Sequence, residues 1–119
     1  MQLTSSILVS VYSMLLKCRP FNGWSSLPPV EEVRFVVDTD DATMGTYMYH
    51  EEDDREKWQH VITVSKGRCG HLDTVIRTLA HEMIHMRRHR TTKWAAHDAI
   101  FRRYAKQISA ELGFDPLEL

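Results

Sequence analysis

Residues 81–85 read His-Glu-Met-Ile-His. A helix turns about 100° per residue, so on a helix His81 and His85 fall one turn apart on the same face. Two imidazoles at that spacing can grip one zinc ion. Glu82 projects from the flank of that face, where a carboxylate reaches water that the ion acidifies. Two ligands and a neighbouring base are the equipment of zinc-dependent hydrolases, chiefly peptidases.

A catalytic zinc usually has three protein ligands and one open position. His97 is the candidate for the third. With Phe101, Tyr104, Ile108 and Leu112 it follows steps of four, three, four and four, so it heads a stripe that turns inward. The connection from His85 is long enough for a second helix to fold back over the first. His89, one turn beyond His85, and Asp98, beside His97, are the rivals. Three ligands in one straight row along a helix do not converge easily on one ion, which disfavours His89. His50, His60 and His71 read as surface or structural residues.

Other roles stay open. An oxyanion formed at a peptide carbonyl needs a further donor, and Tyr47, Tyr104 and His60 are equal choices. Arg87, Arg88, Arg90 and Lys93 follow the motif. They suit contact with nucleic-acid phosphates, but the same cations also complement the C-terminal end of a helix dipole, the simpler reading.

The elements must position these groups. Asp73-Thr-Val-Ile-Arg-Thr-Leu-Ala80 contains no Gly or Pro and opens on Asp73, a suitable N-cap, so a helix is expected over 73–90. Val75, Ile76, Leu79, Met83 and Met86 share one arc of its wheel, with His81 and His85 roughly opposite. Such a helix rests on a core by one face and shows its histidines to a cleft. A final helix is expected from about Lys93 to Leu112, capped by Thr91 or Thr92 and ended by Gly113 in a left-handed turn, with Phe114 folding back.

Upstream, a first helix is expected over 2–17 and a loop from Pro20 to Pro29, with Trp24 covering part of the core. Strands are expected at 33–37, 45–50 and 60–65, the last two as a hairpin joined by a charged, solvated connection at 51–57. An extended substrate could add to the edge of the 45–50 strand. The class is α+β: an N-terminal helix, a small three-stranded, mostly antiparallel sheet, an active-site helix and a C-terminal helix.

With 119 residues and a 43% hydrophobic fraction, one domain over 1–119 is the natural count. The net charge is −1, but residues 1–65 carry 5 basic and 10 acidic side chains and residues 66–119 carry 10 and 6. The basic half holds the metal motif, a weak hint of an anionic partner. Cys18 and Cys69 form no C-x-x-C pair, so free thiols in a reducing cytoplasm are expected. Cys69-Gly-His71 lacks a second ligand pair at zinc-ribbon spacing. The apolar run 7–16 has no preceding positive charge and recurs every four residues, which suits an amphipathic helix better than a signal peptide. It is too short to span a bilayer. A monomer without membrane association is expected.

From about Val61 to Pro116 the chain resembles the SprT-like zinc metallopeptidases, which include the Spartan-type proteases. The resemblance rests on Val-Ile-Thr-Val-Ser at 61–65, the run from Asp73 through His85, His97 with Phe101 four residues on, and Leu-Gly-Phe-Asp-Pro at 112–116. It implies a zincin-like fold, one zinc ion held by His81, His85 and His97, and Glu82 as acid–base. Some members cut proteins associated with DNA, and a nuclear or nucleoid location would follow from such a role. Asp98 stands where the family usually has Gly, and no cysteine-rich zinc ribbon follows in this sequence. Two functions from different classes result: an endopeptidase acting on a protein or peptide, and a non-catalytic module in which zinc clips two helices together to bind nucleic acid or protein.

Overall fold

The computed structural model describes residues 1–50 and 59–119, so the expected charged connection at 51–57 lies outside the described residues. Helix α1 spans Ser5–Leu16, and the Oγ1 of Thr4 caps it by accepting from the Ile7 amide at 3.3 Å. The strands are β1 (Val33–Asp38), β2 (Gly45–Tyr49) and β3 (His60–Ser65). Helix α2 spans Leu72–Arg87 and α3 spans Ala99–Leu112. Short 3-10 turns occupy Phe21–Gly23, Val30–Glu32 and Pro116–Glu118.

The class is α+β, with a mixed sheet in the order β1-β3-β2. The 45–49 and 60–65 strands pair antiparallel, with Gly45 opposite Val64 and Tyr49 opposite His60. β1 instead runs parallel to β3, with Val33 opposite His60 and Asp38 opposite Ser65, so the sheet is not mostly antiparallel. After β1 the chain crosses to the far edge to form β2, and β3 returns between the two. β3 takes the centre because its side chains are the most enclosed; Ile62 and Val64 are fully buried.

Helix α2 packs against α1, α3, β2 and β3. Val75, Leu79, Met83 and Met86 are buried as the wheel requires, and Ile76 packs beside them. Ala80, Ile84 and His85 are buried too, so this helix is enclosed on more than one side. The Tyr12 hydroxyl, also fully enclosed, donates to the Pro28 carbonyl at 2.6 Å. Trp24 packs edge-on against Phe21 and tilted against Tyr104, and closes the core from the loop side.

The expected helix boundaries move, α1 to 5–16 from 2–17 and those of α2 and α3 as follows. α2 begins after His71, and Asp73 lies in its first turn, where it pairs with Arg77 at 3.8 Å. α2 stops at Arg87 rather than 90. α3 starts at Ala99, because the Asp98 carboxylate caps it by accepting from the Phe101 amide at 3.1 Å, so neither Thr91 nor Thr92 does so. Gly113 ends α3 at φ +81°, as expected, and Phe114 packs back on the core.

Gly45 marks where β2 presses on α2. A Cβ there would lie 2.8 Å from the Thr78 methyl and 3.0 Å from the Thr63 carbonyl oxygen. Gly45→Ala is therefore expected to cost about 1–3 kcal/mol, read as a lower Tm, as overpacking between closely packed elements does. An unchanged Tm would mean that β2 and α2 have slack between them.

Candidate metal centre

α2 presents His81 and His85 one turn apart, and the segment between α2 and α3 brings His97 against them. Their Nε2 atoms form a nearly equilateral triangle, 3.2 Å from His81 to His85, 3.1 Å from His85 to His97 and 3.2 Å from His97 to His81. A tetrahedral site with Zn–N bonds of about 2.0–2.1 Å places its ligand nitrogens about 3.3 Å apart. The triangle matches one face of such a tetrahedron.

The outer nitrogens fix the tautomers. His81 Nδ1 lies 2.6 Å from the main-chain oxygen of Leu119, and His85 Nδ1 lies 2.8 Å from that of Trp94. Those oxygens only accept, so each Nδ1 carries the proton and each Nε2 is left with its lone pair. Two lone pairs facing each other at 3.2 Å repel unless a cation lies between them. The trio can thus hold a metal ion, and no other such group of three His, Cys, Asp or Glu side chains occurs among the described residues. The Phe101 ring underlies all three imidazoles, with centroid distances of 4.8, 5.0 and 4.7 Å to His81, His85 and His97.

Burial lowers the His81 pKa and pushes that of His85 down to about 4, so both favour the neutral, ligating form. Glu82 is 5% exposed, and burial alone pushes its carboxyl up to about 8. No hydrogen bond or ion pair to another described residue offsets its charge. A carboxylate placed this way is stabilised by a cation arriving beside it.

His81, Glu82 and His97 line a cleft of about 310 Å³ whose other walls are Thr43, Met44 and Gly45, Arg77 and Thr78, and Glu118 and Leu119. Arg77 was missed as a wall residue by sequence reasoning. The signal was available, since Arg77 precedes His81 by four residues and so shares its face. The C-terminal wall carried no such signal, because nothing local ties residue 119 to residue 81.

The remaining sequence-derived candidates go elsewhere. Tyr47 and His60 are buried and bonded to each other, hydroxyl to Nδ1 at 2.8 Å, and Tyr104 packs on Trp24, so none of the three lines the cleft. The His89 ring packs on Tyr49 and His60, away from the trio, with Nδ1 2.7 Å from the Met86 carbonyl oxygen. Asp98 points away from the metal position and takes both terminal nitrogens of Arg88, at 2.8 and 2.9 Å. Cys69 is buried, with its sulfur near the Met44 carbonyl and the Thr78 hydroxyl; both cysteines are free thiols.

The basic group divides in two. Arg87 lies over the rings of Trp24 and Tyr104, 5.4 Å from each, and donates to the Ser26 hydroxyl. Arg88 is buried against Asp98. Arg90 and Lys93 are exposed.

The helix-borne His81 and His85, the segment-borne His97 and the buried Glu82, set against a small mixed sheet, fit a metallopeptidase-like domain. The chain belongs to the SprT-like family, whose sequence profile matches residues 18–117. No curated protein and no solved structure matches the chain. No helix among the described residues is long and apolar enough to cross a membrane.

Proposed function

We propose that the chain is a zinc-dependent endopeptidase with His81, His85 and His97 as metal ligands and Glu82 as general base and acid. The triangle of Nε2 atoms carries this reading, because its two helix-borne corners are fixed as lone pairs by their outer hydrogen bonds. Bound at the triangle, zinc supplies a Lewis acid and an acidified water. The Glu82 carboxylate takes a proton from the attacking water and delivers it to the departing amine nitrogen.

β2 is an edge strand, and its first residue, Gly45, lines the same cleft. An extended substrate peptide adds to that edge, unpaired by any strand among the described residues, by main-chain hydrogen bonds. Arg77 offers the cleft a guanidinium donor for the developing oxyanion, in place of Tyr47, Tyr104 or His60. Contact with DNA, if the chain acts on DNA-associated proteins, falls to Arg90 and Lys93 and is weak and salt-dependent.

Metal analysis tests the centre. The purified protein is expected to hold one zinc per chain, and His97→Ala to lose most of it. Unchanged content in the variant would remove His97 from the site. The loaded protein is expected to cut an unfolded protein substrate. A loaded protein that cuts nothing, yet unfolds when stripped of zinc, would make the ion a structural clip and the chain a binding module.

A further inference from the structure

The third ligand comes from a segment without helix or strand, residues 88–98, which is an unusual place to hold a side chain to a few tenths of an ångström. A buried guanidinium ties down both sides of that ligand. Arg88 follows His85 by three residues at the end of α2 and is 6% exposed. Its Nη1 donates to the Ala96 carbonyl at 3.2 Å and to Asp98 Oδ1 at 2.8 Å, and its Nη2 donates to Asp98 Oδ2 at 2.9 Å. Ala96 and Asp98 are the two chain neighbours of His97. Asp98 in turn caps α3, and Arg102 of α3 donates to the His97 carbonyl at 3.0 Å. His97 is thus bracketed on both sides by a group at the C-cap of the helix that carries the other two imidazoles.

We propose that Arg88 and Asp98 form a clamp that sets the position of His97, and so the metal affinity of the centre; this rests on the metal-centre reading above. Both are positioning residues. Neither is among the three side chains that can hold the ion. The clamp gives Asp98 a purpose where the resemblance anticipates glycine. The backbone at residue 98 is extended, φ −88° and ψ −168°, which any residue adopts, so no glycine is needed. A side chain there can reach back to α2, and a glycine could not.

The bidentate geometry makes the clamp specific. A guanidinium fork holds two carboxylate oxygens and a carbonyl in one plane; an ammonium is a point donor and cannot. Outer groups that orient a metal ligand typically alter affinity by about 10–100-fold, and this clamp orients His97 through the backbone on both its sides.

The test compares zinc affinity, by competition with a chromophoric chelator, and the visible spectrum of the cobalt-substituted protein. The parent is set against Arg88→Lys, Asp98→Asn and Ile108→Val. Asp98→Asn keeps a capping oxygen for α3 and nearly the same shape, so it stands in if Arg88→Lys fails to fold. Ile108→Val thins the core under α3 without touching the clamp. Arg88→Lys and Asp98→Asn are expected to weaken zinc binding by about 10–100-fold and to alter the cobalt spectrum, while Ile108→Val leaves both at parental values despite a lower Tm. Clamp variants that bind zinc within twofold of a zinc-binding parent would overturn the clamp alone. A parent that takes up no zinc would overturn the centre, and the clamp's role with it.

Discussion

Glu82→Gln is expected to lower peptide-bond cleavage by roughly 10²–10⁴-fold while leaving zinc content at one per chain. Gln matches Glu in shape and cannot accept the proton, so the change isolates proton transfer from metal binding. Glu82 lines the cleft with His81 and His97, and its one perturbation is burial. The fold is expected to survive, because Glu82 makes no hydrogen bond or ion pair with a described residue that the amide would break. Single-turnover cleavage of an unfolded protein, with metal content measured on the same sample, reads both quantities. Parental cleavage by the variant would remove Glu82 from the chemistry. Loss of zinc along with activity would make it a determinant of the metal site instead.

The second large effect is on stability against pH in the metal-free protein. Burial pushes His85 and His60 down to about 4 each, against 6.5 unfolded. Between pH 4 and 6.5 the unfolded chain therefore binds more protons at these sites, and stability rises with pH through that window. Glu82 works in the opposite direction. Its folded value of about 8 exceeds 4.5, so its contribution is full below 4.5 and is lost as pH rises through 8. His81, lowered by burial as well, rises with them, so up to about pH 6.5 three rising contributions outweigh one falling one, and above that only the fall remains. Metal-free Tm is expected to peak near neutral pH and to drop by about 10 °C towards pH 4.5 and towards pH 8.5. Glu82→Gln should flatten the alkaline arm and leave the acid arm in place. An alkaline arm unchanged in that variant would mean that another group titrates there. Zinc should raise the whole curve, and acid should release it, because the ligands must be neutral.

The sites of helix and strand were legible because local rules decide them. The spacing of Val75, Leu79, Met83 and Met86 marks α2, and Gly113 marks the end of α3, where only a residue tolerant of positive φ continues the chain. The start of α3 was misplaced for an equally local reason. Thr91, Thr92 and Asp98 are all good caps, and the choice went to Asp98, the one that Arg88 could hold from α2. The parallel pairing of β1 and β3 was invisible, since strand order depends on which strand gains most from the centre of the sheet.

The motif residues His81, Glu82 and His85 follow from the sequence alone, because a helix fixes what four residues of separation means in space. His97 could be nominated but not placed: it precedes α3 rather than riding on it, and a segment without regular structure has no period from which to compute a direction. Its convergence on the other two imidazoles, the acceptors behind His81 and His85 and the engagement of Arg87 and Arg88 are contacts that no helical or strand period specifies, and the isolation of Glu82 depends on what packs around it. Such contacts are settled only when the packed core fixes which surfaces meet, so they belong to the tertiary structure.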